Sequence, residues 1–224
     1  AFALPSEKTP LDWGGDARIS VYRGDISDIT AVDEAAQGCS HIFHLAAIVG
    51  DGGTDALHQR VTVGGTRHVL ETAKVRAQKV ILVTSICSYG DALQRGVCDE
   101  NTPFGVPQGF YGRAKQGQEA LALAYGAAGV PIVVVRPANI IGAGCVPWHL
   151  EASKALRQGL PALIGGGLGN AGLAIVENVA SFMVLAAQSP AAYGQAFNVN
   201  DGLAVTWREY FTDLAKLCGT KPPK

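Results

Sequence analysis

The chain has 224 residues, 48% of them hydrophobic and 17% charged, and a formal net charge of −1. This suits one sizeable globular domain, or one domain with a small appendage, around a large core. The near-neutral balance leaves no electrostatic footprint for nucleic acid or an anionic membrane, and no apolar run reaches the roughly 18 residues of a membrane span. The opening residues carry no charged-then-apolar leader, so no secretion signal is expected. Cys39, Cys87, Cys98, Cys145 and Cys218 are scattered without a CxxC pair, which suits free thiols in a reducing cytoplasm. His41, His44, His58, His68 and His149 lack metal-ligand spacing, so no metal is expected. His41 and His44 flank Ile42-Phe43 on an apolar strand, where packed and hydrogen-bonded histidines are expected.

In chain order, Arg18 to Arg23 reads as a strand, followed by Gly24-Asp25-Ile26 and a short helix from Ser27 to about Gln37. His41 to Leu45 is a compact apolar strand. Thr54 to Arg76 is a long helical stretch with Leu57, Val61, Gly65 and Val69 at spacings of four. Gly64-Gly65 inside it disfavours a helix by about 1 kcal/mol each relative to Ala, and a close helix or sheet approach would explain the pair. Lys79 to Thr84 is the next strand. A loop rich in Gly and Pro leads to a helix running to about Gly129. Pro131 to Arg136 is a β-branched run of the kind covered on both faces in a parallel sheet. Val146 to Gln158 and Val176 to Gln188 read as helices, with Ala196 to Val199 as a short strand. Thr206-Trp-Arg-Glu209 opens a last helix with a capping box. Gly165-Gly166-Gly167-Leu-Gly169 reads as a flexible loop with no nucleotide-binding role. Alternating strands and helices of this length predict a doubly wound α/β sheet.

Tyr111-Gly-Arg-Ala-Lys115 places a phenol and an ammonium on one helix face. Alone, that spacing is common on helix surfaces. Val83-Thr84-Ser85 adds a hydroxyl-rich strand end upstream of it. Ser85, Tyr111 and Lys115 in this order resemble the catalytic triad of the short-chain dehydrogenase/reductase superfamily.

Further pieces, in order, resemble its extended branch, the NAD-dependent epimerase/dehydratase family. Gly24-Asp25-Ile26-Ser-Asp28 resembles GDxxD, His44-Leu45-Ala46-Ala47 resembles HLAA, and Val61-Thr-Val-Gly-Gly-Thr66 resembles N-V-x-G-T. Ser88-Tyr89-Gly90 completes the hydroxyl-bearing SS-x-x-x-YG stretch, and Arg136-Pro137-Ala138-Asn139-Ile-Ile-Gly142 resembles R-P-x-N-x-x-G. Val176-Glu-Asn-Val-Ala180 and Phe197-Asn-Val-Asn extend the likeness. The resemblance implies that Ser85, Tyr111 and Lys115 are catalytic. It implies that Asp25, Ile26, Leu45, Ala46, Ala47, Thr62, Val83, Tyr111, Lys115, Pro137 and Ala138 hold NAD or NADP, with Asp25 at the adenine. Ser85, Asn139 and Trp148 are the candidate substrate contacts. Structural alternatives stand beside several of these. Ser85 could cap a turn, Asp25 could be a helix N-terminal acid, Asn139 a turn residue and Pro137 a strand end. Trp148 and His149 could be half-buried packing.

Two departures stand out. Thr62 occupies the position of the pattern's Asn, so that polar contact is expected to shorten or vanish. The pattern's opening strand and GxxGxxG loop, which cradle a pyrophosphate at a helix N-terminus, have no counterpart here, and the C-terminal end is short. The expectation is therefore part of a longer protein: residues 1–142 a partial Rossmann-like dinucleotide-binding domain, and 143–224 part of a small substrate-binding portion.

A free tyrosine, of pKa about 10, is a poor base at neutral pH. The Lys115 ammonium and a cationic nicotinamide would both favour its phenolate. Ser85 would hold the substrate oxygen, Tyr111 would shuttle the proton, and the cofactor would carry the hydride. The expected activity is oxidoreduction of a secondary alcohol or ketone. The apolar Val146-Pro-Trp148 stretch, the low charge count and Val205-Thr-Trp-Arg-Glu-Tyr210, which resembles the hydroxysteroid or sterol branch of the family, lean toward such a substrate. A nucleotide-sugar epimerase or dehydratase is the alternative, and a non-catalytic dinucleotide-binding protein or inactive fragment the third reading. A small-molecule substrate and a homodimer through the 54–76 and 112–129 helices complete the expectations.

Overall fold

The computed structural model describes residues 1–8, 16–159 and 163–223. The first part runs β1 (Phe2–Ala3), β2 (Tyr22–Arg23), α1 (Ile29–Ala35), β3 (His41–His44), α2 (Asp55–His58), a π-helical segment (Gln59–Gly64), α3 (Gly65–Arg76), β4 (Lys79–Val83), a 3-10 segment (Ile86–Gln94), α4 (Gly109–Ala127) and β5 (Ile132–Pro137). There follow β6 (Asn139–Ile141), a second π segment (Val146–Glu151), α5 (Ala152–Arg157), a 3-10 turn (Ile164–Gly167), β7 (Leu173–Ile175), α6 (Val176–Gln188), β8 (Ala196–Val199) and α7 (Trp207–Cys218). The chain packs as two compact units, Ala1–Arg136 with Ala186–Phe197, and Pro137–Leu185 with Asn198–Lys224. The change of unit falls at Arg136, ahead of the expected Gly142, and the chain returns to the first unit at α6's end to supply the first half of β8.

The first unit is built on the four-stranded order β3-β4-β5-β8. β3, β4 and β5 are parallel, with Ile42 opposite Val80 and Val80 opposite Ile132. β4 and β5 are the apolar, β-branched runs, and every residue of β5 is buried. Helices cover such strands because an uncovered apolar face would lose roughly 1.5–3 kcal/mol for each large aliphatic side chain left in water. Val69, Leu70 and Ala73 from α3 and Leu121 and Ala122 from α4 meet Val80, Leu82, Ile132 and Val134 in one core.

The expected strand from Arg18 shrinks to Tyr22–Arg23. The Arg18 guanidinium instead turns back onto Asp16, with Nε 2.9 Å from its carboxylate, and the N–H of Ile19 donates to the Asp16 carbonyl. β2 pairs in parallel with the unanticipated β1 as a separate two-stranded sheet.

The long helix around Gly64-Gly65 forms, with a π segment inserted ahead of Gly65. A Cβ at Gly65 would lie 2.7 Å from Cγ2 of Ile26, so the close approach is to the loop before α1. Gly117 serves α4 similarly, since a Cβ there would meet Val63 at 2.9 Å.

In the second unit β6 pairs in parallel with β7. Trp148 packs against Trp207, ring centroids 4.9 Å apart, and Phe211 stacks on Trp207 at 5.8 Å. Thr206 and Glu209 cap α7 reciprocally, as the sequence pattern requires. The glycine run at Gly165–Gly167 forms a 3-10 turn with positive φ at all three positions. Among the described residues no helix is long and apolar enough to cross a membrane, and no cluster could hold a metal ion.

Candidate active site

β4 ends at Val83, and Thr84 and Ser85 carry its backbone into the following 3-10 segment. Ser85 is extended and its hydroxyl accepts from the N–H of Cys87 at 3.1 Å, so it does cap the turn. Its hydroxyl also lies near enough to the Tyr111 phenol to favour the phenolate. The two roles are compatible, because a hydroxyl both accepts and donates. Gly90, which closes this stretch, has φ +59°, and a Cβ there would collide with the Val106 carbonyl.

α4 brings in Tyr111 and Lys115. Its first turn is anchored by Asp51, whose Oδ1 accepts the Tyr111 backbone N–H at 2.8 Å. This is a helix-end acid of the favourable sign, and no spacing rule in the sequence points to it. Lys115 is buried, and its Nζ lies 5.5 Å from the centroid of the Tyr111 ring. It donates to the Val83 carbonyl at 3.3 Å and to Oε1 of Gln118 at 2.9 Å, leaving a third N–H for a ligand.

The electrostatics correct one expectation. Burial pushes the Tyr111 phenol above its ordinary value; the Ser85 hydroxyl works against burial, and Cys87 adds to it. Desolvation outweighs the activation expected from Lys115 in the protein alone. Burial also lowers Lys115 to about 8, with Cys87 and Glu119 opposing, so the ammonium is retained at neutral pH.

A second buried layer lies behind these groups. Arg136 and Glu119 form an ion pair at 2.6 Å, with side chains 8% and 7% exposed. Thr84 donates to Glu119 at 2.8 Å, and Arg136 donates to the Tyr89 hydroxyl at 2.8 Å. This joins the ends of β4 and β5 to α4, one turn beyond Lys115.

The remaining candidates fall as follows. Asp25 is exposed and its Oδ1 accepts both the N–H and the hydroxyl of Ser27, at 2.8 and 2.7 Å, so it does act as a turn acid. Those bonds, the backbone one foremost, hold its carboxyl below the usual range. Its second oxygen is open. Ile26 is buried against Gly65. Leu45, Ala46 and Ala47 follow β3, with Leu45 54% exposed. Thr62, in the Asn position, keeps a polar contact: its hydroxyl accepts the N–H of Ile48 at 3.0 Å and so tethers this stretch. Val83 contributes its carbonyl to Lys115. In the second unit, Ala138 bonds the Val199 carbonyl and Asn139 donates its amide to the Ala171 carbonyl at 2.7 Å. Pro137 is the last residue of β5. Trp148 belongs to the aromatic cluster, and its carbonyl accepts from Tyr210.

The model of the NAD dependent epimerase/dehydratase family matches residues 2–200. The chain belongs to this family. Among curated relatives, it is 30% identical over 200 residues to the 4-hydroxy-2-methyl-3-oxo-4-farnesyl-3,4-dihydroquinoline-1-oxide ketoreductase of Stigmatella aurantiaca, covering 88% of this chain and 60% of that protein. It is 28% identical over 224 residues to a 3 beta-hydroxysteroid dehydrogenase/Delta 5-->4-isomerase of Mycobacterium tuberculosis, covering 92% of this chain and 60% of the relative. The chain thus spans about 60% of the length of these two relatives. In fold it is similar to the UDP-glucuronic acid 4-epimerase of Bacillus cereus, solved with NAD, at a TM-score of 0.83 and 22% identity over 95% of this chain and 70% of that one.

Proposed function

We propose that this chain carries the reacting groups of an NAD(P)-dependent oxidoreductase that interconverts a secondary alcohol and its ketone on a largely apolar molecule of hydroxysteroid or sterol type. The observation that carries this reading is the meeting of Ser85, Tyr111 and Lys115 in one unit: a hydroxyl beside a half-buried phenol, with a buried ammonium 5.5 Å from the phenol ring centroid. The substrate class rests on the two curated relatives, whose names specify a farnesyl-bearing ketone and a hydroxysteroid.

The donor set suits a dinucleotide. Lys115, over the Tyr111 ring, keeps one N–H, a donor suited to a ribose hydroxyl, and the open Asp25 oxygen can accept from an amine such as that of adenine. Val83, Leu45, Ala46 and Ala47 are proposed as the backbone and apolar remainder of that site in the first unit, and Pro137 and Ala138 as cofactor contacts from the second unit. When bound, the nicotinamide supplies or accepts a hydride. Ser85 holds the substrate oxygen and stabilises charge developing there. Tyr111, protonated at neutral pH, donates its hydroxyl proton to that oxygen during ketone reduction. In the oxidative direction it takes the proton back, and the Lys115 charge lessens the penalty of the phenolate.

The partner proposed besides substrate is a second copy, through α3 and α4, which expose Val75 and Leu123 at 85% and 78%. A reducing, cytoplasmic setting is proposed from the five free thiols. The test is the absorbance of NADH and NADPH in the presence of ketosteroids, isoprenoid ketones and UDP-sugars. Oxidation of the reduced cofactor with the apolar ketones is the expected result. Turnover confined to UDP-sugars would replace this reading with epimerase or dehydratase chemistry.

A further inference from the structure

Lys115 is held by Gln118, its i+3 neighbour on α4, and through it by groups that no spacing rule connects. Gln118, 1% exposed, faces it with Oε1 at 2.9 Å. An ammonium has only donors, so the amide orientation is fixed by chemistry and the Nε2 end must point onward. It donates to Thr66 Oγ1 at 2.7 Å. The Thr66 hydroxyl has one proton, and it goes to the Thr62 carbonyl at 2.7 Å. Nε2 of His44 also lies 2.8 Å from Thr66 Oγ1. With that proton committed to a carbonyl, His44 has to supply the hydrogen of this bond. His44 is 3% exposed, Thr66 fully buried, and neither touches bulk water.

We infer that Gln118 is a positioning residue of this site: it locks the Lys115 ammonium in place and, through Thr66, couples it to a neutral His44 fixed as the Nε2–H tautomer. The chain of bonds has one direction. Lys115 donates to Gln118, Gln118 donates to Thr66, and His44 donates to the same hydroxyl from the far side. A second proton on His44 would put a cation on the same network as Lys115; burial foremost, and the Lys115 charge after it, lower the basicity of His44. The charged and titratable groups acting on Lys115 are Tyr111 and Glu119 on α4, Cys87 on the 3-10 segment and His44 on β3. None of them supplies the neutral acceptor that Gln118 does.

The inference rests on the proposed function only for its catalytic consequence, so the experiment reads the network directly. In uniformly 15N-histidine and 13C-lysine labelled protein, His44 and Lys115 signals are assigned with His44→Gln and Lys115→Met. The expected spectrum shows His44 neutral with the proton on Nε2 throughout about pH 5 to 8, where an ordinary histidine titrates. Gln118→Glu keeps the length and the acceptor but adds a charge, and should raise the Lys115 midpoint by about one unit or more. Gln118→Met keeps the length, removes the acceptor, and should lower it. Thr66→Val should release the His44 tautomer preference. If Gln118→Met does not fold, Gln118→Glu decides alone. An Nδ1–H tautomer in the parent, or a Lys115 midpoint unmoved in Gln118→Glu, overturns the inference. Full turnover in Tyr111→Phe would remove the oxidoreductase reading and leave the spectroscopic result standing.

Discussion

At the scale of single residues, the sequence exposes the groups whose chemistry depends on spacing and hides those whose role depends on long-range packing. Tyr111 and Lys115 are legible from one helical turn, and Ser85 from its strand-end context. Gln118 and Thr66, 52 positions apart, meet only because α3 and α4 pack together. The ionisation of Tyr111 was equally hidden, because it depends on burial that no motif records. Tyr111→Phe should lower turnover by about 10² to 10⁴ while weakening NADH binding only modestly, since it removes the proposed proton donor but leaves the Lys115 donor to the cofactor in place. Steady-state rates and a fluorescence titration check both halves. The Arg136–Glu119 pair gives a second residue-scale prediction. Breaking a buried pair leaves one charge uncompensated, at a loss of about 3–5 kcal/mol. Arg136→Met should therefore be strongly destabilising in a urea titration. Adding Glu119→Leu should recover most of the loss, a non-additivity that a double-mutant cycle measures.

At the scale of elements, long runs with an unambiguous pattern match their structures closely: the β-branched β5, the apolar α6 and the capped α7. The failures are short. β1, β6 and β7 have two or three residues each and exist through their pairing partners, which a local reading does not supply. The Arg18 segment lost its strand because a local Asp–Arg turn satisfied the backbone first. The glycines of the helices were legible as oddities, while their reasons were not. They make a matched prediction on α4. Gly117→Ala forces a Cβ to 2.9 Å from Val63 and should destabilise by about 1–3 kcal/mol, the usual range for overpacking. Gly126→Ala meets nothing within 4 Å and should stabilise by up to about 1 kcal/mol through helix propensity. Thermal melts of the two variants should move in opposite directions. Equal shifts would show that α4 does not approach the π segment as described.

At the scale of the whole molecule, the alternation of strands and helices made the α/β class legible, but the return of residues 186–197 to the first unit was not. Nothing local at Ala186 marks it, because β8 belongs with β5 by sheet pairing alone. The stability of the whole fold carries the signature of the buried groups in that unit. Burial lowers His44 to about 3, with the Lys115 charge adding to the effect. An unfolded histidine titrates near 6.5. Between these values the unfolded chain binds a proton that the native one does not, so stability falls as pH drops from about 6.5 toward 3. Lys115, lowered to about 8 from roughly 10.4 in an unfolded chain, gives the same sign in a higher window. There too the unfolded state holds more protons, so stability rises with pH above about 8. The ammonium that the proposed chemistry needs at neutral pH is thus carried against the fold, by roughly 3 kcal/mol at 1.36 kcal/mol per unit. Lys115→Met should flatten this alkaline rise. Urea midpoints measured from pH 7 to about 9, short of tyrosine ionisation, should climb in the parent relative to the variant. His44→Gln should leave that limb intact and flatten the acid one. Parallel curves for parent and Lys115→Met would mean that Lys115 is solvated in the native protein and that the buried network around it does not hold in solution.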